Sequence, residues 1–192
     1  MSAQPIAIDC VYRILAIDPG TNALGVAVLD VDIDKAIVTV QHATTIDISK
    51  LSQNYPQLIM IHGERVSKLH AVEMALFKMF RAWKPDEIVS EAPYLGRFPQ
   101  AFSALVECLS SIRRAVMEYN RALPLPTIDP ASVKKAVGVS GKSGDKDAIT
   151  VAIQRQPDLL MNVNVNDLDE HARDAIAVGY AFYKTRTQGS HV

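Results

Sequence analysis

Four side chains in this chain of 192 residues could share one piece of chemistry: Asp18, Glu91, His171 and Asp174. Asp18 closes the apolar run Ile14-Leu15-Ala16-Ile17 and is followed by Pro19-Gly20. Glu91 closes a second run, Glu87-Ile88-Val89-Ser90. His171 and Asp174 stand three apart, the spacing that puts two side chains on one face of a helix. Acids are poor strand residues and costly to bury, so two apolar strands that each stop on a carboxylate suggest that something nearby uses the charge. Three carboxylates and an imidazole make a hard, oxygen-rich donor set suited to Mg²⁺ or Mn²⁺. Two such ions in one site can activate a water and stabilise the leaving oxygen of a phosphodiester.

Each residue also has a plain structural role open to it. Asp18 could open a turn as an Asx residue, Glu91 could be a surface acid at a strand end, and His171 could be a lone satisfied histidine. Asp167 to Glu170 fits a capping box, which would start the helix rather than do chemistry. Ala172, Ala175, Ile176 and Gly179 supply a small-residue face for close packing on a sheet.

Basic residues cluster between 131 and 146, where Lys134, Lys135, Lys142 and Lys146 are interspersed with glycines, serines and a single acid. The string Gly141-Lys142-Ser143 lacks the earlier glycine of a Walker A loop, so a nucleotide-binding P-loop is rejected. Lysines contacting backbone phosphates are the better reading, with a solvated charged surface as the alternative.

The elements that must position these groups follow from period and punctuation. Residues 12–18, about 24–31 and about 36–46 read as three strands in an antiparallel meander, with a tight turn at Pro19-Gly20-Thr21-Asn22. Gly25 lets the second strand run close to neighbouring backbone or ligand. From Val66 to Trp83 the period becomes helical, and Pro85 stops it. A short strand then leads to Glu91, a helix spans about 99–120, and Leu125 to Ile128 makes a further apolar stretch. Asp129-Pro130 marks a helix start, with Asp as N-cap and Pro at the first helical position. Helices at about 145–155 and 169–184 complete the order. A meander followed by helical crossovers predicts an α/β fold, a mixed five-stranded sheet flanked by helices in the ribonuclease H-like arrangement.

Bulk properties set bounds. With 48% hydrophobic residues the chain can bury a full core, and a single domain over 1–192 with a polar tail from about 185 is the simplest organisation. A net charge of −1 and a pI near 6.5 provide no global field toward a polyanion, so nucleic acid would be held by a local patch. Cys10 and Cys108 form neither a ligand spacing nor a disulfide framework, which fits a reduced interior. No basic leader precedes an apolar stretch, and no apolar run reaches about 18 residues. The expectation is a soluble, cytoplasmic protein with no membrane partner.

The ordered pieces Ile17-Asp18-Pro19-Gly20-Thr21 with Gly25, Glu91-Ala92-Pro93-Tyr94, Asp129-Pro130-Ala131-Ser132-Val133-Lys134-Lys135-Ala136-Val137-Gly138 and His171-Ala172-Arg173-Asp174-Ala175 resemble the RuvC-type Holliday-junction resolvases. They span most of the chain, from about 12 to 183. The resemblance implies a ribonuclease H-like homodimer that places paired, symmetric nicks in four-way DNA junctions and leaves 5′-phosphate ends. It implies Asp18, Glu91, His171 and Asp174 as metal ligands, with Mg²⁺ or Mn²⁺, two per site. It also implies that Tyr94 stacks on unpaired bases and that Lys134, Lys135, Lys142 and Lys146 touch phosphates. The apolar faces Leu69/Leu76/Phe80 and Phe102/Leu105/Leu109 could serve either core or dimer. Segment 47–65 is longer and less patterned than the resemblance leads one to expect. Three other readings stay open: an RNA-processing relative that shares the Asp18-x-Gly opening, an actin-like ATPase fragment without its second half, and a silent branched-DNA-binding module.

Overall fold

Three strands of nearly unbroken Ile, Val, Leu and Ala open the structure: β1 (Val11–Asp18), β2 (Ala23–Asp32) and β3 (Ile37–Asp47). The computed structural model describes residues 11–96, 98–139 and 148–188. The three strands pair antiparallel in chain order, the meander expected from their short connections. Consecutive residues from Ile14 to Ile17 are all fully buried, which is the pattern of a strand covered on both faces.

The two faces separate by parity. Ile14 and Ala16 of β1 join Ala27, Leu29, Val38 and Val40 in one core, while Leu15 and Ile17 join Leu24, Val26 and Val28 in the other. Helices α1 (Ile48–Ser52), α2 (Pro56–His62) and α3 (Glu64–Trp83) follow, before β4 (Glu87–Glu91) and α4 (Pro99–Tyr119). Leu76 and Phe80 of α3 and Leu109 and Ile112 of α4 fill the second core. The apolar faces of these two helices are therefore spent largely on the interior. The first core is covered by α5 (Pro130–Val137), α6 (Ala148–Gln154) and α7 (Glu170–Gln188).

Among the described residues the sheet has six strands rather than the five expected, in the order β5-β4-β1-β2-β3-β6. The addition is β6 (Leu159–Met161), which lies parallel on the outer edge of β3. Three residues are too few for periodicity to register, and the ladder to Val38–Val40 is what makes this segment a strand. Thr127–Ile128 forms β5, shorter than the apolar stretch around it. Segment 47–65 carries the two short helices α1 and α2. Asp47 caps α1 by accepting from the Lys50 amide at 2.8 Å, and Pro56 sits at the start of α2, whose residues are never buried.

The start of α7 also differs from expectation. Asp169, not Asp167, is its cap: Asp169 Oδ1 accepts from the Ala172 amide at 3.1 Å. Asp167 instead ends a 3₁₀ turn, Val165–Asp167, and accepts from the Asn164 side chain. No helix among the described residues is long and apolar enough to cross a membrane.

Candidate metal and nucleic-acid site

The carboxyl ends of three neighbouring parallel strands converge here. β1 and β4 run parallel with Ile17 opposite Ser90, so Asp18 and Glu91 end adjacent strands at the same level. Glu91 pairs with Ile128 of β5, and Asp129 follows at once. Parity puts Asp18 on the face of Ala16 and Glu91 on that of Val89, the face covered by α7. Such strand ends beneath a covering helix are where open α/β sheets bind ligands.

The first turn of α7 comes down on this point. A methyl group added at Gly25 would lie 2.1 Å from the carbonyl oxygen of His171, so the helix backbone rests directly on the strand. Further along, a methyl at Gly179 would lie 2.5 Å from Leu29 and 3.0 Å from Ala16. These two glycines set the depth of α7. The close approach that the sequence assigned to Gly25 is present, and the neighbour is helix backbone.

Asp18 is only 9% exposed, and its Oδ2 stands 2.9 Å from His171 Nδ1. With Asp18 ionised, Nδ1 carries the proton, which leaves Nε2 free to ligate or to accept a proton. Burial pushes the Asp18 carboxyl above its ordinary value despite that bond. Burial and repulsion from Asp18 and Asp174 drive Glu91 up to about 8, against the pull of Lys134. Burial and Asp18 likewise raise Asp174 to about 6, with Lys134 again opposing. Burial alone would lower His171, but the hydrogen bond and charge of Asp18 outweigh it and carry the imidazole upward.

The four groups thus share one electrostatic field, part of which Lys134 offsets. Among the described residues no three acidic, histidine or cysteine side chains stand close enough together to hold a metal ion as they are placed. The donor set, oxygen-rich with one imidazole, fits Mg²⁺ or Mn²⁺.

Asp129 starts α5 as expected, accepting from the Ser132 amide at 2.9 Å with Pro130 at the first position. That helix brings Lys134 into the field of both Glu91 and Asp174, while Lys135 is exposed. Lys142 and Lys146 lie outside the described residues. Tyr94 is 68% exposed, which removes it from the core. Leu95 and Phe98 in the same connection are 61% and 73% exposed. Sequence reasoning passed over both, although Pro93 and Pro99 bracket an apolar segment that neither strand nor helix could use.

No family model matches the chain. A curated relative, the crossover junction endodeoxyribonuclease RuvC of Xanthomonas euvesicatoria pv. vesicatoria, is 28% identical over 166 residues, covering 86% of this chain and 84% of that protein. Thermus thermophilus RuvC, solved in complex with a Holliday junction substrate, aligns with a TM-score of 0.67 at 17% identity over 91% of this chain and 96% of that one. The yeast mitochondrial Holliday junction resolvase aligns at 0.66 and 14% identity, covering 94% and 81%. The likeness to these two solved structures shows a ribonuclease H-like fold, here a meander, parallel crossovers and a C-terminal helix over the strand ends.

Proposed function

We propose that this chain, a RuvC-type resolvase, cuts four-way DNA junctions by paired, symmetric nicks, hydrolysing phosphodiesters to leave 5′-phosphate ends. One observation carries the reading. Asp18, Glu91, His171 and Asp174, from three separate elements, shift one another's ionisation together with Lys134, and Asp18 bonds His171 directly. Asp18, Glu91 and Asp174, with His171, hold the divalent metal, two ions per site. Bound there, Mg²⁺ or Mn²⁺ offsets carboxylate repulsion and supplies Lewis acidity toward water and phosphate.

The chain's own groups do the rest. His171 ligates through Nε2 or takes the proton of the attacking water. Water adds in line to phosphorus as the 3′ oxygen leaves. Lys134, close enough to act on both Glu91 and Asp174, stabilises charge on the scissile phosphate. Lys135, Lys142 and Lys146 contact neighbouring phosphates, and exposed Tyr94 stacks on unpaired bases. The protein works as a single ribonuclease H-like domain, a cytoplasmic homodimer in which each protomer makes one nick.

The test is cleavage of a synthetic four-way junction beside a linear duplex and an RNA–DNA hybrid, in Mg²⁺ and separately in Mn²⁺, with the mass of the active species measured by sedimentation. Symmetric nicks in the junction alone, made by a dimer, are expected. Cutting of the hybrid would shift the assignment to RNA processing, and binding without cutting in either metal would leave a silent DNA-binding module.

Two further outcomes follow from the electrostatics. Replacing Lys134 and Lys135 together by Ala should weaken junction binding and reduce the slope of log affinity against log salt by about 1–2, as expected for one or two lost phosphate contacts. An unchanged slope would remove these lysines from the interface.

Metal and pH should also be linked through stability. Glu91 and Asp174 have folded values raised to about 8 and about 6, so their contribution is fullest at low pH and is lost as pH rises through those values. The raised His171 acts in the same direction. In EDTA the melting temperature should fall by roughly 5 °C between about pH 6 and 8.5, and excess Mg²⁺ or Mn²⁺ should restore more of it the higher the pH. A metal-free melting temperature that rises over this interval would overturn the assignment.

A further inference from the structure

Asp18, Gly25 and Thr45 form one row across three strands. Asp18 pairs with Gly25, and Gly25 pairs with Thr45. Directly opposed residues of antiparallel strands point to the same face, here the one covered by α7. The row therefore lies under the first turn of that helix, and each member meets it differently. Asp18 bonds to the His171 imidazole at 2.9 Å. Gly25 leaves a slot, for any Cβ there would strike the His171 carbonyl. Thr45 Oγ1 donates to Asp169 Oδ1, and the same carboxylate oxygen caps the helix by accepting from the Ala172 amide.

We propose that Thr45 and Asp169 are positioning residues that aim the ligand-bearing turn of α7 at Asp18. The inference rests on reading His171 and Asp174 as metal ligands. Without the Thr45 hydroxyl, the turn is held at Asp18 and over the Gly25 slot but not on the far side. Those anchors lie along one line across the sheet, with strands about 4.8 Å apart, so loss of an end anchor frees a rocking motion. His171 and Asp174 sit on the turn that rocks. A merely structural cap would affect melting temperature; a positioning contact sets how well the donors converge on an ion. Thr45 occupies a strand end, where Val is an isosteric and favourable replacement, so folding of the variant is not at issue.

The experiment is a Mn²⁺ titration by calorimetry, without DNA, of the wild type, Thr45→Val, Thr45→Ser and Asp174→Asn, with melting temperatures and hydrogen exchange of the Ala172 amide measured alongside. Thr45→Val should weaken Mn²⁺ binding about tenfold, the usual scale for losing a group that orients a ligand, and speed exchange at Ala172. Thr45→Ser, which keeps the hydroxyl, should return both toward wild type. Wild-type Mn²⁺ affinity in Thr45→Val, while Asp174→Asn binds weakly, would overturn the positioning role alone. Wild-type affinity in Asp174→Asn would remove the ligand assignment, and the positioning role with it.

Discussion

Asp18→Asn should abolish junction cutting, by roughly a thousand-fold or more on the scale of removing a group that stabilises transition-state charge, while junction binding stays intact. The amide keeps the size of the side chain and can still accept from His171 Nδ1. It loses the negative charge that, at the end of β1, faces both Glu91 and Asp174. Removing that charge relieves the repulsion that raises both neighbours, so the metal-free variant should melt at or above the wild-type temperature. Inactive, tightly binding and no less stable is a combination that a purely structural Asp18 does not produce. Asp174→Asn should behave the same way. The measurements are single-turnover cleavage, junction binding in Ca²⁺ or EDTA, and thermal melting; retained cutting by either variant would exclude that residue from the site.

Gly25→Ala should be nearly as damaging through packing alone. The added methyl would lie 2.1 Å from the carbonyl oxygen of His171 and 2.6 Å from its carbon, and neither helix backbone nor central strand can yield cheaply. The expected cost is about 3 kcal/mol, a drop of roughly 6–12 °C in melting temperature for a chain of this size. Because the displaced turn carries His171, cutting by the fraction that stays folded should fall at least about a hundredfold, in line with the sensitivity of catalysis to misplacements near 1 Å. Gly179→Ala is the control at the same helix–sheet contact. Its methyl would meet chiefly the flexible end of Leu29, well along the helix from His171. It should lower stability and spare cutting per folded molecule. Equal losses of cutting in the two variants would mean that overall docking of α7, not the depth of its first turn, is what matters.

Much of this architecture could be read from local signals. The three meander strands, the strand ending at Glu91, the long helices α3 and α4 and the Asp129-Pro130 start of α5 all carry period or punctuation within a dozen residues. Elements without such signals escaped. β6 exists through its ladder to β3, and α2 buries nothing, so neither imposes a period. The cap of α7 fell on Asp169 rather than on a box begun at Asp167, because the chain first makes a 3₁₀ turn and because Thr45 is there to receive Asp169. That second cause lies 124 residues away.

The candidate site divides along the same line. Sequence alone determined which acids end buried strands and that His171 and Asp174 share a helix face, since alternation along a strand and 3.6-residue periodicity along a helix are properties of the local backbone. Only the tertiary structure decided that His171 reaches Asp18 across 153 residues of chain, that Lys134 enters the carboxylates' field, and that Gly25 and Thr45 shape the bed of α7. Those facts depend on strand register and on helix depth, which are set by packing between distant segments and leave no periodic mark on the chain.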